Sequence, residues 1–232
     1  MRRRSFLTAL GVASAVATGS LAGCSGEETA AQDPAALLAT ARTTLEGAKF
    51  VTLTLTSQKV PTGVDGVTAA EGTGEVSATQ PKFGGSFTGR IEGISGKVGV
   101  IAIGPDTWLK LFTDSYEPFD LSTVGAPNPA TFFDPKGGLA AMVGSTTAPV
   151  LGGQVRQGSE VLTEVKGKLP GAQIDSLLKL GDGTSEFDVT YGIAANGELR
   201  NAVAVGPFYA GATSTYVIAL KDYGKAVEIA RP

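Results

Sequence analysis

Across residues 51–56 apolar and polar positions alternate without a break: Val51, Leu53 and Leu55 are separated by Thr52 and Thr54. Phe187, Val189, Tyr191 and Ile193 repeat the pattern around Asp188, Thr190 and Gly192. Strict alternation predicts strands with one buried face. Runs at 75–79, 83–91, 97–103, 107–112, 154–165, 199–205, 214–220 and 226–230 predict more, giving about nine or ten strands, and Asn196-Gly197 predicts a hairpin turn between two of them. Sequential strands with short turns make one large antiparallel sheet. A sheet that wide has to curl or split, and the glycines scattered through its strands permit bending.

Helical periodicity is confined to three places. Asp33-Pro34 supplies an N-cap and an N1 proline, and Leu37, Ala41 and Leu45, with Leu38 beside them, form a stripe that ends before Gly47. A second helix is expected to open at Asp134-Pro135 and to carry Leu139, Met142 and Val143 before Gly144. A third follows Pro170-Gly171, with Ile174, Leu177 and Leu178 on one face and Gly181 as the C-cap. The expectation is an α+β fold with few helices over a large sheet.

The first residues follow a different logic. Arg2, Arg3 and Arg4 precede an uncharged stretch of small and apolar residues, 6–21, which is short and weak for a membrane-spanning helix and has the profile of a signal peptide. It ends in Leu21-Ala22-Gly23-Cys24, which resembles the lipobox of bacterial lipoproteins, where the cysteine sulfur takes a diacylglyceryl group. Arg3-Arg4-Ser5-Phe6-Leu7 also resembles a twin-arginine export motif, and the general secretory route stays equally open. The expected division is a signal peptide at 1–23, a lipidated N-terminus and flexible tether at 24–32, and a single domain at 33–232.

Composition narrows the chemistry. The chain has no histidine and one cysteine, the one placed in the lipobox, so Ser-His-Asp and Cys-His arrangements, disulfides and the usual zinc sites are excluded. What remains is carboxylate pairs, Ser-Lys dyads or oxygen-bound hard metals. Asp114, Glu117, Asp120 and Asp134 stand in no recognisable motif and read as loop acids and turn formers. Gly104-Pro105-Asp106 and Gly181-Asp182-Gly183 lack a phosphate-loop ending and read as turns. No catalytic residue, metal site or cofactor is expected. Removing the three leader arginines takes the formal charge from −3 to −6. That argues against nucleic acid and against a polybasic membrane clamp, leaving attachment to the acyl anchor.

Residues 112–151 are long, proline-punctuated and not polar, and they cluster Phe112, Tyr116, Phe119, Leu121, Phe132 and Phe133. Such a segment is expected to be either a lid or binding loop or a satellite cluster that plugs the sheet.

Several segments resemble the LppX/LprAFG family of actinobacterial lipoproteins in order and spacing over essentially the whole mature chain. They are the lipobox at Cys24, the run from Val100 to Leu109 that contains Ile103-Gly104-Pro105-Asp106-Thr107-Trp108, the Phe133-Asp134-Pro135-Lys136-Gly137-Gly138-Leu139 segment, Val165-Lys166-Gly167-Lys168-Leu169, and the ending Tyr223-Gly224-Lys225-Ala226-Val227. The resemblance implies a half-barrel: a strongly curved antiparallel sheet with a few helices on its concave side, enclosing an apolar cavity for acyl chains. It further implies no enzyme but a lipoprotein on the outer face of the cell membrane that carries acylated lipids or glycolipids toward the outer envelope layer, with a membrane lipid exporter as a partner. Gly104-Pro105-Asp106, Tyr223 and the Gly-rich loop at 60–70 depart from the family pattern and touch turns rather than cavity walls.

On that reading Cys24 is the lipidation site. The cavity is expected to draw on Leu38, Leu45, Leu53, Leu55, Phe83, Phe87, Ala102, Trp108, Leu139, Met142, Val143, Ile174 and Leu178. Phe83 and Phe87, four apart on one strand and so on one face, are the leading wall candidates. Two other readings stay open: a structural or sensory lipoprotein of the same fold without lipid transfer, and a hydrolase using a carboxylate pair or a Ser-Lys dyad.

Overall fold

The alternation around Leu53 becomes the middle of the sheet. In the computed structural model, which describes residues 32–91, 93–111 and 114–232, strand β1 (Phe50–Gln58) buries Val51, Leu53 and Leu55 on one face. Cys24, the leader, nearly all of the tether and Phe112 lie outside the described residues. From β1 the chain meanders outward through β2 (Gly66–Glu75), β3 (Lys82–Ile91), β4 (Ile94–Ile103), β5 (Asp106–Lys110) and the two-residue β6 (Glu117–Pro118). It then crosses to the far edge and meanders back through β7 (Thr147–Gln157), β8 (Glu160–Pro170), β9 (Glu186–Ala194), β10 (Leu199–Tyr209) and β11 (Ala212–Lys221). The order is β6-β5-β4-β3-β2-β1-β11-β10-β9-β8-β7, with every described pairing antiparallel. The sheet is not closed: β6 and β7 are its edges.

Register determines what shares the buried face, because paired residues point the same way. Leu53 stands opposite Leu220 and Gly72, Gly72 opposite Gly85, Gly85 opposite Val100, and Val100 opposite Leu109. The next row runs from Val165 through Tyr191, Ala202, Ile218, Leu55, Ala70 and Phe87 to Val98. Glycine interrupts the first row where β2 and β3 meet at Gly72 and Gly85. A Cβ on Gly85 would lie 2.2 Å from the Glu71 carbonyl oxygen and 2.7 Å from the Gly72 Cα. The Phe83 ring fills the space these glycines leave, 2.5 Å from where a Gly72 Cβ would be.

This packing explains why β2 was not legible as a strand. The 60–70 stretch reads as a Gly-rich loop because its inward positions are small, with no large apolar residue to mark the alternation. Ladders to β1 and β3 nevertheless satisfy its backbone, and tertiary pairing overrides propensity. Conversely, 75–79 leaves the ladder after Glu75, and the Ser77 hydroxyl accepts from the backbone N–H groups of Thr79 and Gln80. The 154–165 run is two strands, β7 and β8, reversing around Gly158 at φ 61°.

The topology requires a crossing. Since β6 and β7 are opposite edges, the chain between them passes over one face of the sheet, in two 3₁₀ turns (Leu121–Val124 and Pro129–Phe133) and helix α2 (Leu139–Gly144). It buries Leu121, Ala130, Phe132, Phe133, Leu139, Ala140, Met142 and Val143. No helix opens at Asp134-Pro135. The Asp134 carboxylate accepts from Lys136 N at 2.9 Å and its carbonyl from Gly138 N at 2.7 Å, closing a turn, and α2 begins after Gly138 without a side-chain cap. Helix α1 (Pro34–Gly47) has the expected Asp33 cap, accepting from Ala35 N at 3.0 Å, and buries Leu38, Ala41 and Leu45. Helix α3 (Gly171–Leu178) ends two residues before the expected cap. Lys179 takes the left-handed conformation at φ 55°, while Gly181 donates instead to the Phe208 carbonyl at 3.0 Å.

Residues 226–230, expected as a strand, form no ladder. They belong to a C-terminal strap over the other face of the sheet: Gly224 N donates to Phe50 O at 2.8 Å, Ile229 lies beside Gly84, and Arg231 pairs with Asp106 at 2.6 Å. Among the described residues no helix is long and apolar enough to cross a membrane.

Candidate functional site: an apolar pocket beneath the crossing segment

Leu53 and Leu55 of β1, Val67 and Ala70 of β2, Phe83 and Phe87 of β3 and Val100 of β4 line a pocket of about 520 Å³, part of it open to solvent. Its roof is Ala126, Pro127, Pro129, Phe132 and Phe133 of the crossing segment, with Leu178 from the end of α3. Every one of these side chains is apolar. A water inside would find no side-chain partner, so the space suits hydrocarbon and little else. The pocket is narrow as it stands, since Val100 is 0 % exposed and Phe83 and Leu55 are each 2 % exposed. Phe83 and Phe133 face one another across it, centroids 6.0 Å apart and planes 17° from parallel.

Two further apolar spaces adjoin it. One, about 360 Å³, lies under Met142, Ile174 and Leu177 against Val189, Ala202, Ala204, Tyr216 and Ile218, and shares Phe132 and Leu178 with the first. The other, about 260 Å³, lies between Leu45, Val51, Val76, Pro135, Leu139 and Ala140, with Asp134 its one charged lining residue, and shares Phe132 and Phe133. Phe132 is a wall of all three. Tyr216 brings a hydroxyl into this region already satisfied: it donates to Val67 O at 2.9 Å and meets the Tyr209 hydroxyl at 2.7 Å. Burial raises its pKa above the usual phenol value. Tyr191, deep under α2, meets Thr146 Oγ1 at 2.7 Å and is pushed up to about 12, chiefly by burial.

Of the residues expected at a cavity, Leu53, Leu55, Phe83, Phe87 and Leu178 come together on the first pocket, Met142 and Ile174 on the second, and Leu45 and Leu139 on the third. Leu38 and Val143 are buried in the same core without lining these pockets. Ala102 stands opposite Phe83 on the inner face but is fully packed. Trp108 is set apart: it pairs with Ile101 on the other face, where Arg231 lies 5.5 Å over its ring. Sequence reasoning missed Val67 and Ala70, which lay in a presumed loop, and placed Phe132 and Phe133 only within an aromatic-rich segment. The proline punctuation of 127–135 was the available signal.

The acids are occupied locally and apart from one another. Asp120 caps the first 3₁₀ turn, and hydrogen bonds from the Ser122 hydroxyl and backbone N–H hold its carboxyl below the usual range. Asp134 closes its turn, Glu117 accepts from the Ser115 hydroxyl, and Asp114 stands 4.0 Å from Lys110. Among the described residues no group of three or more potential ligands could hold a metal.

A wide, open antiparallel sheet whose two edges are joined by a crossing segment over an apolar pocket is an α+β fold with few helices. The LppX/LprAFG lipoprotein family model matches residues 33–229, and the chain belongs to that family. The fold is similar to that of LprF from Mycobacterium bovis, with a TM-score of 0.73 at 17% identity over 86% of this chain and 96% of that one. It is also similar to the lipoprotein LppX from Mycobacterium tuberculosis, with a TM-score of 0.60 at 18% identity over 86% of this chain and all of that one. A comparison with curated protein sequences finds no match.

Proposed function

We propose that this protein is an exported, acyl-anchored lipoprotein that takes up the hydrocarbon chains of acylated lipids or glycolipids and carries them toward the outer envelope layer, without catalysing a reaction. The observation that carries this reading is the wholly apolar lining of the pocket between β1–β4 and the crossing segment. The sheet acts as a half-barrel and the crossing segment as its cover. Burial yields about 0.8 kcal/mol per CH2, so a sixteen-carbon chain gains roughly 12 kcal/mol before ordering costs. Admitting it requires the cover to lift, which exposes the buried Leu121, Phe132 and Phe133 until the incoming hydrocarbon covers them again, while few hydrogen bonds have to break. Among the described residues, the hydrogen bonds tying Leu121–Phe133 to the sheet and its connections are Asn128 Nδ2 to Gly104 O and Ser77 N to Phe133 O. The membrane is reached through Cys24, and a membrane lipid exporter is the natural donor.

A second reading, a structural or sensory lipoprotein with a closed core, is favoured by the close packing of the pocket walls. Organic extraction of the protein purified from its own cells, followed by mass spectrometry, separates the two. The expected result is acyl lipid in near-stoichiometric amount, lowered in Ala70→Trp, which adds bulk at a half-buried lining position, and retained in Ile101→Trp on the other face. Wild-type protein free of lipid overturns the carrier reading.

A further inference from the structure

The apolar pocket adjoins a second, differently built space of about 500 Å³, with which it shares Val67, Ala126, Pro127 and Leu178. Its other walls include Asp65, Arg90 and Lys179. The change from hydrocarbon lining to charge occurs within a step or two of chain. Leu178 belongs to both spaces and Lys179 only to the outer one, while Val67 belongs to both and Asp65 only to the outer one.

The cations there are under-used. Arg90 Nε is shielded from solvent and has no hydrogen-bond partner. Asp65 Oδ1 lies 3.6 Å from it, an ion-pair distance but too long for a hydrogen bond, and already accepts from Gly93 N at 3.2 Å. Lys179, exposed at the left-handed C-cap of α3, makes no salt bridge among the described residues. The described charged residues lining this space therefore sum to one net positive charge, with an Arg90–Asp65 ion pair that is not closed by a hydrogen bond. The Arg90 side chain is 38 % exposed, so its terminal N–H groups are open to this space, and an anionic oxygen is the group that a guanidinium with an incomplete ion pair binds best.

We propose that this outer space is a head-group site for phosphate, so that the protein selects acyl lipids bearing a phosphate at the glycerol end, with Arg90 and Lys179 as the specificity-determining residues. The inference rests on the acyl-binding reading above. A neutral glycolipid would fill the same apolar pocket but offer Arg90 and Lys179 no opposite charge.

The test uses the full chain as its expression host processes it, stripped of copurified lipid. Its affinity is measured for palmitoyl lysophosphatidate, for monopalmitoylglycerol with the same acyl chain, and for inorganic phosphate, the lipids below their micelle-forming concentrations. The expected result is a preference of about tenfold or more for the phosphate-bearing lipid. Arg90→Gln with Lys179→Gln should remove that preference without changing monopalmitoylglycerol binding, and Arg90→Lys should retain part of it. Both substitutions fall on side chains with solvent access, and matching melting temperatures verify the fold. Equal affinity of the wild type for the two lipids, or a preference that survives the double substitution, overturns the head-group site while leaving the acyl pocket standing. Inorganic phosphate binding as tightly as the lysophosphatidate would make this a free-anion site and overturn its coupling to lipid. Failure to bind either lipid overturns the carrier reading itself.

Discussion

The ring of Phe133 occupies the position a Cβ on Gly74 would take, with the nearest ring carbon 2.2 Å away. Gly74 is on the inner face of β2, paired with Val51 on one side and Phe83 on the other. The absence of a side chain on the sheet is thus what lets the crossing segment seat its aromatic residue between two strands.

Gly74→Ala should force Phe133 out of that seat and destabilise the fold by about 1–3 kcal/mol, as overpacking of a core does. Phe133→Leu in the same chain should recover part of the loss, because the smaller side chain leaves room for the new methyl. Urea unfolding of the two single variants and the double variant checks this. Additive losses would show that the two residues do not share the space.

Tyr191 gives the protein an alkaline limit. Its folded pKa is raised from 10 to about 12 by burial, so the native state holds its proton where the unfolded chain has lost it. The resulting stability is fully present below pH 10 and is lost as pH rises toward about 12, by about 2–3 kcal/mol from this group. Urea midpoints followed from neutral to strongly alkaline pH should fall over this window. Tyr191→Phe should show a shallower fall, at the cost of about 1 kcal/mol at neutral pH from the lost hydrogen bond to Thr146.

Cys24→Ala tests the anchor. With the only thiol of the chain removed, the protein is expected to be unacylated and either uncleaved or released from the membrane fraction. Fractionation with mass determination of the N-terminus reads both. A variant still cleaved before residue 24 and still membrane-bound would refute lipid anchoring.

The chain's own pattern determined most of the sheet. Val51-Thr52-Leu53-Thr54-Leu55 could only be a half-buried strand, and Asp33-Pro34 with the stripe of Leu37, Leu38, Ala41 and Leu45 fixed the start of α1 at Pro34, while the helix runs on through Gly47, because periodicity and capping are local properties. Tertiary structure decided the rest. Gly66, Gly72 and Gly74 carry no apolar signal, and they form β2 only because β1 and β3 pair with it on both sides and aromatic rings from Phe83 and Phe133 need the room. Trp108, alike in character to the wall residues, is turned away by the register of β5 against β4. Phe132 and Leu178 meet because β6 and β7 lie at opposite edges of the sheet and force the chain to cross it. Arg90 and Lys179 are 89 residues apart and share no local pattern, so only the tertiary fold places two cations on one space.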